Sequence, residues 1–177
     1  MADQVSWFPV LTLLLGFGTK SLADWWQDRR LTQREREARE AAQRERLLER
    51  RVEFQRETLL ALQDAVMSLT RATGAANHQD EIAARDNGQW QKQLLPDDLD
   101  EQLRQAQALC SILASRVRDQ KIRELTDALK GVCATAAMSR SQRDAADAIQ
   151  GMGLVFQELN ATVGALLREL DDAEGQV

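Results

Sequence analysis

The amino-acid sequence predicts an all-α protein. An N-terminal apolar anchor helix runs on into a long charged helix, and an antiparallel bundle of about four helices follows. Three observations predict this. Only 5% of the 177 residues are aromatic, Tyr is absent, and Ala, Leu, Arg, Glu and Gln dominate, which favours helix. Two Pro are the only ones in the chain. Apolar residues recur at alternating spacings of three and four through the long segments, the period of a helix with one buried face. Four segments follow: an apolar anchor over 1–28, a charged stalk over 29–51, a bundle over 52–171 and an acidic tail over 172–177.

The anchor comes first. Val5 to Thr19 carries no charge. Alone it is short of the roughly 20 residues that cross a bilayer core. Its flanks extend it, because Trp7 to Trp25 spans roughly 27 Å at the helical rise. Trp prefers the membrane boundary, with its ring half in lipid and its N–H wet. The expected anchor residues are Trp7, Phe8, Leu11, Leu14, Leu15, Phe17, Leu22, Trp25 and Trp26. Lys20 can snorkel to the headgroups, and Asp24 one turn on can neutralise it. Two other readings stay open: a helix lying flat in the interface, and an apolar end packed inside a soluble oligomer. A signal peptide is not expected, since Asp3 precedes the segment, no Lys or Arg does, and no small-residue cleavage site follows.

Thr12, Gly16, Thr19 and Ala23 form a stripe of small residues along this helix. Such a stripe lets two helix backbones approach in lipid, so a parallel homo-oligomer is expected. Arg29, Arg30, Arg34, Arg36 and Arg39 follow at once. Basic flanks stay in the cytoplasm, which places the N-terminus outside and the bundle inside a single-pass cell-membrane protein. The net charge is −5, but ten Arg face seven Glu from Arg29 to Glu57. A basic stretch beside the membrane suits anionic lipid, the second expected partner.

The stalk has a seam at Leu31, Arg34, Ala38, Ala41, Glu45, Leu48, Val52, Gln55, Leu59, Leu62, Val66 and Leu69. It resembles a heptad seam, weak at first and strong from Leu48 onward. Glu35–Arg39 and Glu40–Arg44 are favourable pairs at i, i+4. Glu45, Glu49, Glu53 and Glu57 make an acidic row, expected as a solvated, salt-bridged face rather than a metal site.

The long charged helix is expected to end near Leu69. Beyond it the helix can run on past a tolerated Gly74, and Asn87-Gly88 stops it. His78 is the single histidine and is expected on the surface. Trp90, Leu94 and Leu95 are expected to tuck the next loop onto the bundle. Pro96-Asp97-Asp98 opens a helix whose acids suit its dipole, with a stripe at Leu99, Leu103, Ala106, Cys110, Leu113 and Val117. The register then jumps to Ile122, Leu125, Leu129, Val132 and Ala136, and Asp119 is placed to cap the new helix. Ser141-Gln-Arg-Asp144 resembles a capping box for the last helix, whose stripe is Ala145, Ile149, Met152, Phe156, Leu159, Val163, Leu166 and Leu170. Gly151, Gly153 and Gly164 in that helix suggest close helix approach or a ligand crevice.

The usual chemical signatures are missing. Gly16-Phe-Gly-Thr-Lys20-Ser21 is not a phosphate loop, because Thr19 stands where Gly must precede Lys. No Glu-x-x-His pairs exist for a di-iron bundle, and one histidine cannot build a Ser-His-Asp set. Cys110 and Cys133 lack metal spacing and are expected as reduced, buried thiols. The Arg-rich stalk has no interleaved aromatics for nucleic acid. No catalytic, cofactor or metal site is expected. The expected function is a non-enzymatic, membrane-anchored scaffold whose cytoplasmic bundle binds a protein partner or its own copies. A soluble oligomeric coiled-coil adaptor and a ligand-sensing bundle are the alternatives.

Overall fold

A computed structural model describes residues 8–90 and 94–174, with side chains for Arg29 and over 33–90 and 94–172. Four helices make up the described part: α1 (Phe8–Asn87), α2 (Asp97–Arg116), α3 (Gln120–Ala137) and α4 (Gln142–Glu174). Among the described residues there is no strand. The chain divides between Arg50 and Arg51 into two compact units.

In the first unit the described side chains belong to α1 alone. From Gln33 to Arg50 all are exposed except the half-buried Ala42. The expected i, i+4 pairs form: Arg39 meets Glu35 at 3.4 Å and Arg44 meets Glu40 at 3.5 Å. Such exposed pairs add only a few tenths of a kcal/mol, about 0.3–0.5 each. The same residues supply strong helix formers along the run.

In the second unit α1 passes Leu69 and ends at Asn87. Gly74 does not break it, for nothing lies within 4 Å of where its Cβ would be and its backbone stays helical. The stop is Gly88, at φ +67, whose N–H bonds the Ala84 carbonyl at 2.9 Å. Only Gly adopts that left-handed conformation without strain. Pro96 precedes α2, and its carbonyl accepts from Leu99 and Asp100 at 3.0 Å each. Val117 breaks α2 in an extended conformation. Asp119 then caps α3, its Oδ1 accepting from Ile122 N–H at 2.8 Å. Ser141 Oγ accepts from Asp144 N–H at 3.1 Å at the start of α4, the capping contact that the Ser-x-x-Asp spacing suggested.

The packing is antiparallel around one core. Gln55 of α1 meets the end of α2 at Arg116, while Ala72 and Ala76 meet Leu99 at its start. Gln63 bonds Asn160 of α4, and Arg56 pairs with Asp171. Lys121 of α3 pairs with Glu158 of α4. The stripes read from the sequence supply the core. Leu59, Leu62, Val66 and Leu69 of α1 join Cys110, Leu113 and Val117, then Ile122, Leu125, Leu129 and Cys133, then Met152, Leu159 and Val163. Each fully buried aliphatic side chain is worth about 1.5–3 kcal/mol against leaving it in water. Buried hydroxyls are satisfied within their own helices: Thr58 by Phe54, Thr73 by Leu69 and Thr126 by Ile122, at 2.7–2.8 Å.

Trp90, Leu94 and Leu95 only partly follow expectation. Trp90 donates its indole N–H to the Ser139 carbonyl at 2.7 Å, and Leu95 packs on the small cluster of Ala72, Ala76 and Leu99. Leu94 does not tuck in; it is 96% exposed. Its neighbour Leu95 is half-buried instead.

Candidate functional site

The expected anchor side chains Trp7, Phe8, Leu11, Leu14, Leu15, Phe17, Leu22, Trp25 and Trp26 lie outside the described side chains. So do the stripe Thr12, Gly16, Thr19 and Ala23, and Arg30. Among the described residues no helix is long and apolar enough to cross a membrane. Of the arginines expected beside a membrane, Arg29, Arg34, Arg36 and Arg39 are exposed on α1, with Arg39 held by Glu35.

One shaped surface of the second unit lies between α1 and α2. It is a groove of ≈ 500 Å³. Its apolar part is Ala72, Ala75, Ala106 and Leu109; Ser68, Arg71, Gln102 and Gln105 make it polar. Small side chains cause it. Where two neighbouring helices face each other with Ala, the ridge between them is low and a trough remains. Ser68 Oγ is turned back to the Asp64 carbonyl at 2.9 Å, and Gln105 donates to Glu101 at 2.6 Å. Beside this trough Leu109 is 46% and Ile112 50% exposed. Both lie off the α2 stripe. The groove is not where Gly151 and Gly153 suggested a crevice. A Cβ at Gly151 would meet Val132 Cγ1 at 3.7 Å, an ordinary contact, and one at Gly153 would meet nothing within 4 Å.

A second feature is buried. Past Leu69 the inward face of α1 turns polar, with Thr73 fully buried and Asp80 nearly so. Burial pushes the Asp80 carboxyl above its usual range. Asn77 donates to Glu81 at 3.2 Å, and its Oδ1 is buried without a hydrogen-bond partner.

Neither cysteine is poised to react. Burial pushes the Cys110 thiol up to about 11, and the charge of Cys133 adds to it. Burial also raises Cys133, against the lowering effect of its side-chain contact with Thr73. A thiol is nucleophilic only as thiolate, so both act as small core groups. His78 stands exposed beside Glu81 at 3.8 Å. Among the described residues no group of three or more His, Cys, Asp or Glu side chains could hold a metal ion. Scans against family models, curated proteins and solved structures find no match to this chain.

The sequence held one signal for the α2 surface that stripe reading passes over. Leu109 and Ile112 are large apolar residues left outside the α2 stripe, and a residue left out of a stripe faces away from the core. The signal for Asp80 was its position, which continues the spacing of three and four from Leu69 through Thr73 and Ala76.

Proposed function

We propose that the chain is a non-enzymatic, membrane-anchored helical scaffold whose cytoplasmic bundle binds a protein partner or its own copies. The observation that carries the binding part is the α1/α2 surface, where Leu109 and Ile112 stand exposed beside a trough floored by alanine. Exposed apolar groups clustered at a shaped surface mark interaction sites more than scattered ones do. The anchor part is supported by the Trp-bounded apolar segment and the arginines after it, which favour lipid contact, an outside N-terminus and one crossing. Labelling tests the topology. In intact cells an impermeant maleimide is expected to modify Ser6→Cys and to leave Ser111→Cys untouched. Equal labelling of both would overturn the orientation.

A second reading has its own support. Leu47 and Leu48 of the first unit are 53% and 59% exposed, and Leu48 is a seam position. In a soluble coiled-coil adaptor such residues are covered by a second helix. That reading expects a discrete oligomer in sedimentation that needs no detergent.

A further inference from the structure

We infer that α2 pairs antiparallel with α2 of a second copy, about a two-fold axis passing between Ala108 and Leu109. The inference rests on that part of the proposed function in which the bundle binds its own copies, and it names the surface. Glu101, Gln105, Ala108, Ile112 and Arg116 follow one another at spacings of three and four along α2. From Gln105 onward these side chains and Leu109 are all exposed. A two-fold axis there sets Ala108 opposite Leu109, Gln105 opposite Ile112 and Glu101 opposite Arg116 of the second copy.

Charge fixes the direction. The first turn of α2 is acidic, with Asp97, Asp98 and Asp100, and Glu101 follows. The last turn carries Arg116, which makes no ion pair among the described residues. Antiparallel pairing brings each acidic end to a basic end, and does so twice by symmetry. Parallel pairing would set Glu101 against Glu101 and Arg116 against Arg116, which repel. Glu101 already holds Arg104 at 2.8 Å, but a carboxylate accepts more than one donor.

Shape agrees with charge. A two-fold contact must be self-complementary, so each copy has to offer both knob and hole on one face. Leu109 and Ile112 are the knobs. The trough floored by Ala72, Ala75 and Ala106 is the hole, and it adjoins them.

Crosslinking in the full-length chain tests this. The variant with both Gln105→Cys and Ile112→Cys is oxidised, and covalent dimer is followed on non-reducing gels. It is expected to crosslink about tenfold faster than Ile112→Cys alone, whose two thiols lie about 10 Å apart along the axis, beyond disulfide reach. The buried Cys110 and Cys133 remain, with the parent chain as control. Glu101→Arg or Arg116→Glu, added singly, is expected to slow the reaction by about tenfold, and the two together to restore it. All four positions are at the surface of α2, so folding is retained and is checked by circular dichroism. Equal rates for the double and single cysteine variants, or no rescue by the charge swap, would overturn the inference. Val10→Cys reads anchor contacts separately. Crosslinking there without crosslinking at 105 and 112 rejects the α2 pairing and leaves self-association through the anchor standing.

Discussion

Arg118 donates its backbone N–H to Gln55 Oε1, while the other end of the same amide donates to the Arg116 carbonyl, both at 3.0 Å. One side chain of α1 thus holds both edges of the α2–α3 break. Val117 between them is buried in the core. Gln55 sits at a seam position where an apolar residue would suit a heptad better. Here the polar side chain serves the two backbone groups instead. Gln55→Leu is expected to destabilise the bundle by about 1–2 kcal/mol, because two backbone groups lose their partner. Denaturant unfolding of the full chain measures it, and unchanged or raised stability would show the clamp to be idle.

Asp80 gives a pH dependence. Burial raises its folded-state pKa above the ordinary value of 3.8. The carboxyl is neutral in both states below that value and costs nothing. As pH rises from there through the folded value, the unfolded chain ionises more readily, and stability falls. Asp80→Asn removes the ionisation. It is expected to stabilise the chain at pH 7 and to lose that advantage when pH is brought below about 4. Thermal melts of parent and variant at the two pH values check the sign. A variant less stable than the parent at pH 7 would mean that the ionised carboxylate is held by a favourable contact.

Leu129 and Leu94 separate packing from composition. Leu129 is fully buried and Leu94 is 96% exposed. Leu129→Ala is expected to cost about 2–5 kcal/mol, from lost transfer energy and the cavity left behind. Leu94→Ala is expected to change stability by less than about 0.5 kcal/mol. A large loss at Leu94 would place it in a contact that the single chain lacks.

These contrasts show what the sequence made legible. The stripes on α2, α3 and α4 are periodic over several turns, so most of their inward residues could be named at once; on α3 the stripe named Val132, which is half-buried, while Cys133 beside it is buried. The breaks were legible too, since Asp119, Ser141 and Gly88 owe their places to local backbone chemistry. Leu94 and Leu95 were not separable. Adjacent apolar residues in a loop have no period, and which one turns inward depends on the neighbours it meets. The role of Gln55 was not legible for a related reason: its partners are backbone groups 61 and 63 residues away, and no local pattern announces them. The groove escaped because alanine looks alike on an inward face and in a trough. The expected anchor and stripe side chains lie outside the described residues.

The proposed self-association through the anchor rests on the sequence stripe Thr12, Gly16, Thr19 and Ala23. In lipid, apolar burial gives no gain, so close packing must come from small residues. With single cysteines in the anchor and Cys110 and Cys133 replaced, Gly16→Leu is expected to reduce crosslinking strongly. Leu11→Ala, off the stripe, should matter less. Equal crosslinking in parent and Gly16→Leu would show that the stripe is no interface.

Membrane attachment is the most consequential claim, and alkaline carbonate extraction addresses it most directly. Membranes from cells making the full-length chain are washed at high pH and sedimented. A spanning anchor keeps the chain in the pellet, released only by detergent. Recovery of the full chain in the supernatant would contradict the anchored scaffold.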